Sequence, residues 1–135
     1  MIRIAIAALL VVAASHAQAC GACDEDKIAA TYDHAIVERA AARKQLVVFC
    51  EVKGPAYELD RLQRAAKRTS GVDAASVRTS AQPSTLSFVV DPGKRSARSA
   101  AAALQLGAPR GTQISIVRIV AEAGAASIGS GEPAR

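Results

Sequence analysis

The chain has 135 residues, half of them hydrophobic, and a net charge of +5, with two tyrosines, two phenylalanines and no tryptophan. This length suits one domain with a modest core. Because these few aromatic rings offer little surface on which bases could stack, we expect no nucleic-acid partner. The most concentrated basic residues, Arg61, Arg64, Lys67 and Arg68, fall on one predicted helix and are interpreted as its solvated face.

The first 19 residues have the three-part layout of an export signal. Arg3 is followed by an apolar run over residues 4–14 and by the small-residue pattern Ala17-Gln18-Ala19. The apolar run is shorter than the roughly 18 residues that a membrane span needs. We therefore expect residues 1–19 to be a signal peptide, and the protein to be secreted or periplasmic with no transmembrane span.

The signal is followed directly by the motif Cys20-Gly21-Ala22-Cys23. A lipid anchor at Cys20 would require a bulky aliphatic residue three positions earlier, and Ala17 at that position argues against one. Cys50 is the third cysteine beyond the signal. An odd count in an oxidising compartment leaves one thiol without a disulfide partner.

Apolar periodicity then predicts a leading helix and six further elements. Ile28, Tyr32 and Ile36 recur at helical spacing between Asp24 and about Lys44, and acidic residues at the start complement the helix dipole. The later elements are a strand over 45–52, a helix opened by Gly54-Pro55, an edge strand over 72–80, a strand over 85–91, a helix over 96–106 and a strand over 113–120.

This order predicts an α+β fold, a ferredoxin-like βαββαβ antiparallel sheet preceded by an extra N-terminal helix. The expected organisation is a CxxC segment and leading helix over 20–44, the ferredoxin-like domain over 45–120 and a flexible tail over 121–135. The two predicted central strands are apolar on both faces, so the second face of the sheet needs a cover. We expect the leading helix to supply it through Ile28, Tyr32 and Ile36, with a homodimer partner as the alternative.

Residues 45–120 contain the runs Leu46-Val47-Val48-Phe49, Val52-Lys53-Gly54 and Phe88-Val89-Val90-Asp91-Pro92. At these and similar packing and turn positions, this part of the chain resembles a heavy-metal-associated domain, the copper-chaperone-like module. The resemblance implies a ferredoxin-like fold and a metal-binding Met-x-Cys-x-x-Cys after Gly54. This chain has Pro55-Ala56-Tyr57-Glu58-Leu59 there, so the family's metal ligands have no counterpart in it.

The remaining metal-binding pattern is Cys20-x-x-Cys23, whose spacing lets two thiolates bind one soft metal ion, copper or zinc. The free amine of a mature Cys20 would add a nitrogen ligand. His34 and Cys50 are the other candidates for a third ligand. His34, however, lies about 16 Å along the helix from Cys23 by helical rise. The alternative interpretation of His34 is a hydrogen bond to a neighbour such as Asp33. The alternative interpretation of Cys50 is a small buried hydrophobic residue. We predict Cys20 and Cys23 as the metal site.

Two other interpretations of the cysteine pair stay open. The first is thiol–disulfide exchange, because Cys-Gly-x-Cys before a helix resembles the thioredoxin-type motif, although no strand precedes it here. The second is a structural disulfide in a non-catalytic interaction module. A single histidine beyond the signal and the lack of a Ser-His-Asp arrangement argue against an enzyme, with thiol redox chemistry the only catalysis left open.

Overall fold

A computed structural model describes residues 23–55 and 58–121 of the chain. The predicted signal peptide, Cys20 and all of the predicted tail after Ala121 lie outside these residues. The described part is a mixed α+β structure in which helices pack on a four-stranded antiparallel sheet.

Eight elements follow one another in the described residues. They are α1 (Asp24–Ala29), α2 (His34–Ala42), β1 (Leu46–Lys53), α3 (Leu59–Arg68), β2 (Val72–Ala81), β3 (Ser84–Val90), α4 (Ala97–Gly107) and β4 (Gln113–Val120). None of the helices in these ranges has the length and apolarity that crossing a membrane requires.

The strands lie in the order β2-β3-β1-β4, so β1 and β3 are the two central strands. Each neighbouring pair is antiparallel, with Val48 opposite Phe88 and Cys50 opposite Leu86 between β1 and β3. Because side chains alternate between the faces of a strand, each central strand contributes to a core on both sides of the sheet.

The larger core lies between the sheet and helices α3 and α4. Helix α3 contributes Leu62 and α4 contributes Leu104, both almost completely inaccessible to solvent. They pack against central-strand residues such as Phe88. The buried members of this cluster are Val48, Cys50, Val52, Leu59, Leu62, Ala66, Val77, Leu86, Phe88, Val90, Ala97, Ala100 and Leu104.

Helices α1 and α2 cover the opposite face of the sheet. Ile28 of α1 and Ile36 of α2 are buried there against Phe49 of β1. The complete buried cluster is Ile28, Ile36, Val37, Ala40, Val47, Phe49 and Val89. Tyr32, predicted to pack with them, remains 50% exposed.

The leading helix differs from the sequence-based prediction, because it is two helices separated at residues 30–33. Asp33 has an extended backbone, and its carboxylate accepts a hydrogen bond from the Ile36 N–H at 3.2 Å, which starts α2. The Ser87 hydroxyl donates to the Thr31 carbonyl at 3.4 Å and links this break to β3. The cap and this contact together explain why the helical periodicity does not continue through the break.

Strand β2 lacks the regular alternation of a half-buried edge strand, since Ser76 and Val77 are both buried and Ala75 is exposed. Its register against β3 shifts between Asp73 and Arg78. At this irregularity the Ser76 hydroxyl accepts a hydrogen bond from the Val89 N–H at 2.8 Å, in place of a backbone carbonyl of β2. The buried hydroxyl is therefore satisfied where the strand leaves regular pairing.

Helix α3 begins at Leu59 rather than at Pro55. Gly54 ends β1 with a φ of 141°, and a Cβ at this position would lie 2.9 Å from the Gly111 carbonyl oxygen. The Glu58 N–H donates to the Pro55 carbonyl at 3.0 Å, as in a tight turn. The close backbone approach thus fixes Gly54 directly after β1, and the Pro55–Glu58 hydrogen bond comes directly before α3.

Two leucine-to-alanine substitutions test this description of the core. We expect Leu62→Ala to lower the free energy of unfolding by about 3 kcal/mol, because a fully buried leucine leaves a cavity. The matched control is Leu106→Ala, since Leu106 is 90% exposed on α4 and its loss should cost less than about 0.5 kcal/mol. Urea unfolding followed by circular dichroism measures both, and equal losses would contradict this assignment of the core.

Candidate functional site

Cys23 is the described member of the predicted metal-binding pair. It precedes α1 with an extended backbone, and its thiol is free and exposed. Its Sγ donates a hydrogen bond to Oδ2 of Asp26 at 3.1 Å. The first turn of α1 thus brings a thiol and a carboxylate together on its solvent side.

Two ion pairs connect the short helix α1 to the sheet. Glu25 accepts bonds from the Arg118 guanidinium of β4 at 2.6 and 3.4 Å, and the pKa of Arg118 is raised chiefly by this hydrogen bonding. Lys27 lies 3.2 Å from a carboxylate oxygen of Glu51 on β1, and the hydrogen bond between them raises the pKa of Lys27. Together with the buried side chain of Ile28, these pairs hold the segment that carries Cys23.

Cys50 lies on the other side of the sheet, in the core beneath α3 and α4. It is 1% exposed, and burial raises the pKa of its thiol from 9.0 to about 12. A thiol in this environment stays protonated at neutral pH and does not supply the thiolate that a metal or a disulfide requires. This position agrees with the interpretation of Cys50 as a small buried hydrophobic residue. It does not agree with Cys50 as a third metal ligand.

His34 is the first residue of α2 and is exposed to solvent. Its Nε2 lies 3.0 Å from a carboxylate oxygen of Glu38, one helical turn further on. Asp33, the neighbour suggested by the sequence, instead caps α2 and lies 3.6 Å from Arg78. His34 is thus paired within its own helix.

Within residues 23–55 and 58–121, no three His, Cys, Asp or Glu side chains are grouped closely enough to hold a metal ion. The structure brings Asp26 to Cys23, whereas it places Cys50 and His34 elsewhere. Cys20 lies outside the described residues. Asp26 was not predicted from the sequence as a candidate metal ligand. It lies three residues after Cys23, which is the same spacing as that between Cys20 and Cys23.

A second feature missed by the sequence is a cavity of about 290 Å³ beside α3. Its lining consists of Arg61, Arg64, Ala65, Arg68, Gly107, Ala108 and Pro109. The helix face that was interpreted as solvated is exposed, as predicted, and its three arginines also form one wall of this concave surface. The only signal in the sequence was the spacing of the three arginines, because the opposite wall comes from the distant end of α4.

A groove of about 400 Å³ lies next to α1 on the other side of the molecule. It is lined by Glu25, Ile28, Ala29, Tyr32, Phe49, Arg118 and Val120. The half-exposed ring of Tyr32 is part of its apolar wall, and the Glu25–Arg118 ion pair borders it.

Comparison with protein-family models, curated proteins and solved structures finds no match to this chain. The resemblance to heavy-metal-associated domains accordingly rests on the sequence positions given above.

The different surroundings of the two described thiols predict different reactivity. In reduced Cys20→Ser protein at neutral pH, we expect N-ethylmaleimide to modify Cys23 at least about a hundredfold faster than Cys50, because Cys50 is buried and protonated. Mass spectrometry after timed quenching measures the two rates. Denaturant should make both thiols react, and similar rates in the folded protein would contradict the burial of Cys50.

The raised pKa of Cys50 also predicts a pH dependence of stability. Between pH 9 and about 12 the thiol ionises in the unfolded chain but stays protonated in the folded one, so the folded state loses stability as pH rises. We expect the advantage of wild type over Cys50→Ala in free energy of unfolding to shrink by up to about 1 kcal/mol per pH unit above pH 9. Urea unfolding under reducing conditions measures this difference, and one that stays constant with pH would contradict the prediction.

Proposed function

We propose that this protein is a small exported metal-binding protein, not an enzyme, that holds a soft metal ion through Cys20 and Cys23. The observation that supports this proposal is the exposed, free Cys23 thiol beside the Asp26 carboxylate. Exposure leaves the thiol accessible to an incoming ion. The anchoring of α1 to the sheet limits the loss of freedom on binding.

The donors favour zinc over copper. Two cysteine thiolates and one aspartate oxygen would provide three of the four ligands of a tetrahedral zinc site, with water or the amine of Cys20 as the fourth. Cu(I) selects soft sulfur donors, and the mature chain offers no methionine to add one. Asp26 therefore makes zinc the first choice, and a site with Cys20 and Cys23 alone would suit copper better.

We further propose that the domain is ferredoxin-like and related to the heavy-metal-associated domains. The strand order β2-β3-β1-β4, with a helix after β1 and another after β3, agrees with this arrangement. The metal would be carried on α1, which precedes the domain, and not on the loop after β1. This relocation accounts for the absence of cysteines after Gly54.

Thiol–disulfide exchange at the same pair is the second candidate, because an exposed free thiol also meets its first requirement. Asp24, Glu25 and Asp26 place three carboxylate side chains beside the pair, in the first turn of α1, and these groups attract a cation. Bound Zn²⁺ would be stabilised by the same charges. The acidic first turn of α1 thus favours metal binding over exchange.

Metal titration of the reduced exported protein tests the proposal. We expect one equivalent of zinc to bind, Cys20→Ser with Cys23→Ser to abolish binding, and Cys50→Ala to leave it unchanged, because Cys50 is buried on the other side of the sheet. A competition assay with a chromophoric chelator measures the affinities, and Cu(I) is titrated in parallel. Unchanged zinc and copper affinity in the double variant would overturn the metal assignment.

Asp26 has a matched control within the same turn of helix. Asp26→Asn should weaken zinc binding about tenfold, whereas Asp24→Asn, with the same loss of charge, should change it far less. Equal effects would mean that Asp26 contributes only charge.

A measured reduction potential of the cysteine pair distinguishes a structural disulfide from thiol–disulfide exchange. A structural disulfide has a very negative potential, whereas an exchangeable disulfide has a higher one.

A further inference from the structure

Three arginines of α3 line one cavity, on the side of the sheet opposite α1. Arg61, Arg64 and Arg68 are spaced so that they share a helix face, and Arg64 and Arg68 are one turn apart. The facing wall is Gly107, Ala108 and Pro109, at the end of α4 and in the loop that follows. The site is thus built from two parts of the chain that only the fold brings together.

The positive charge in this cavity is largely uncompensated. Arg61 lies 3.3 Å from a carboxylate oxygen of Glu58. Across residues 23–55 and 58–121, Arg64 and Arg68 have no carboxylate within 4 Å of their guanidinium groups. Like charges one helical turn apart destabilise a helix, so this arrangement costs stability unless an anion neutralises it.

The donors available to a ligand are the guanidinium groups. The Ala108 N–H on the facing wall already donates to the Gln105 carbonyl, and the Pro109 carbonyl accepts from the Thr112 N–H. Ala65 of α3 and Ala108 of the facing wall add small apolar side chains to the lining. At about 290 Å³ the cavity is at the lower limit of small-molecule sites.

We propose that this cavity binds the phosphate group of a phosphate monoester. A monoester carries between one and two negative charges at neutral pH, which matches two unpaired guanidinium groups and one that Glu58 partly neutralises. Guanidinium forks suit phosphate oxygens because they donate two parallel hydrogen bonds. A soluble phosphorylated metabolite and a lipid headgroup share this chemistry. The inference does not depend on the proposed metal site, since its described residue, Cys23, precedes α1 on the other side of the sheet.

Titrations with inorganic phosphate and with glycerol 3-phosphate, at constant ionic strength, test this proposal. We expect saturable changes in the amide NMR signals of residues 61–68 and 107–109. Arg64→Gln with Arg68→Gln should weaken binding at least about tenfold, because two charge-assisted contacts are lost. The matched control is Lys67→Gln with Arg98→Gln, which removes the same charge from exposed positions outside the cavity and should change binding less than about twofold.

Vesicle binding tests whether the phosphate monoester belongs to a lipid headgroup. The vesicles consist of phosphatidylcholine with either phosphatidic acid or phosphatidylserine at equal charge. Preference for phosphatidic acid that disappears in Arg64→Gln with Arg68→Gln supports a headgroup ligand, while phosphate binding without vesicle binding supports a soluble one.

Three results would overturn the proposal: non-saturable signal changes, equal weakening in both double variants, or preference for a polyglutamate peptide over both phosphate ligands. Circular dichroism of each variant establishes that the fold is retained.

Discussion

Strands β1 and β3 carry large apolar side chains on both faces, and the rest of the structure depends on covering both. Phe88 lies beneath α3 and α4, while Phe49 lies beneath α1 and α2. Leaving one such side chain in water would cost about 1.5–3 kcal/mol, so an uncovered face would lose a substantial part of a small domain's stability. Helices α1 and α2 therefore supply the cover that the second face of the sheet requires.

The same two-sided burial separates the chemistry of the two described thiols. Cys50 is part of the core under α3 and α4 and serves packing, whereas Cys23 precedes a helix on the other face and is exposed. A helix as short as α1 is not stable by itself in water. Burial of Ile28 and the ion pairs of Glu25 and Lys27 hold it on the sheet, so the surroundings of Cys23 depend on tertiary contacts.

The candidate sites were predictable from the sequence to different degrees. The Cys20-x-x-Cys23 spacing is local and visible directly, and so is the arginine spacing on α3. The facing wall at Gly107 was not predictable, because it depends on how α4 packs beside α3. The burial of Cys50 beneath α3 and α4 also became evident only when its strand was placed in the core.

Periodicity by itself determined the order of strands and helices after residue 44, including the last strand, 113–120, because apolar spacing reports locally which face of an element is buried. Only the tertiary structure decided where that spacing is interrupted. The leading helix divides where Thr31 meets Ser87 and Asp33 caps α2, and β2 loses its alternation where Ser76 bonds Val89. Both breaks depend on hydrogen bonds between distant or capping groups, which a hydrophobic pattern does not encode.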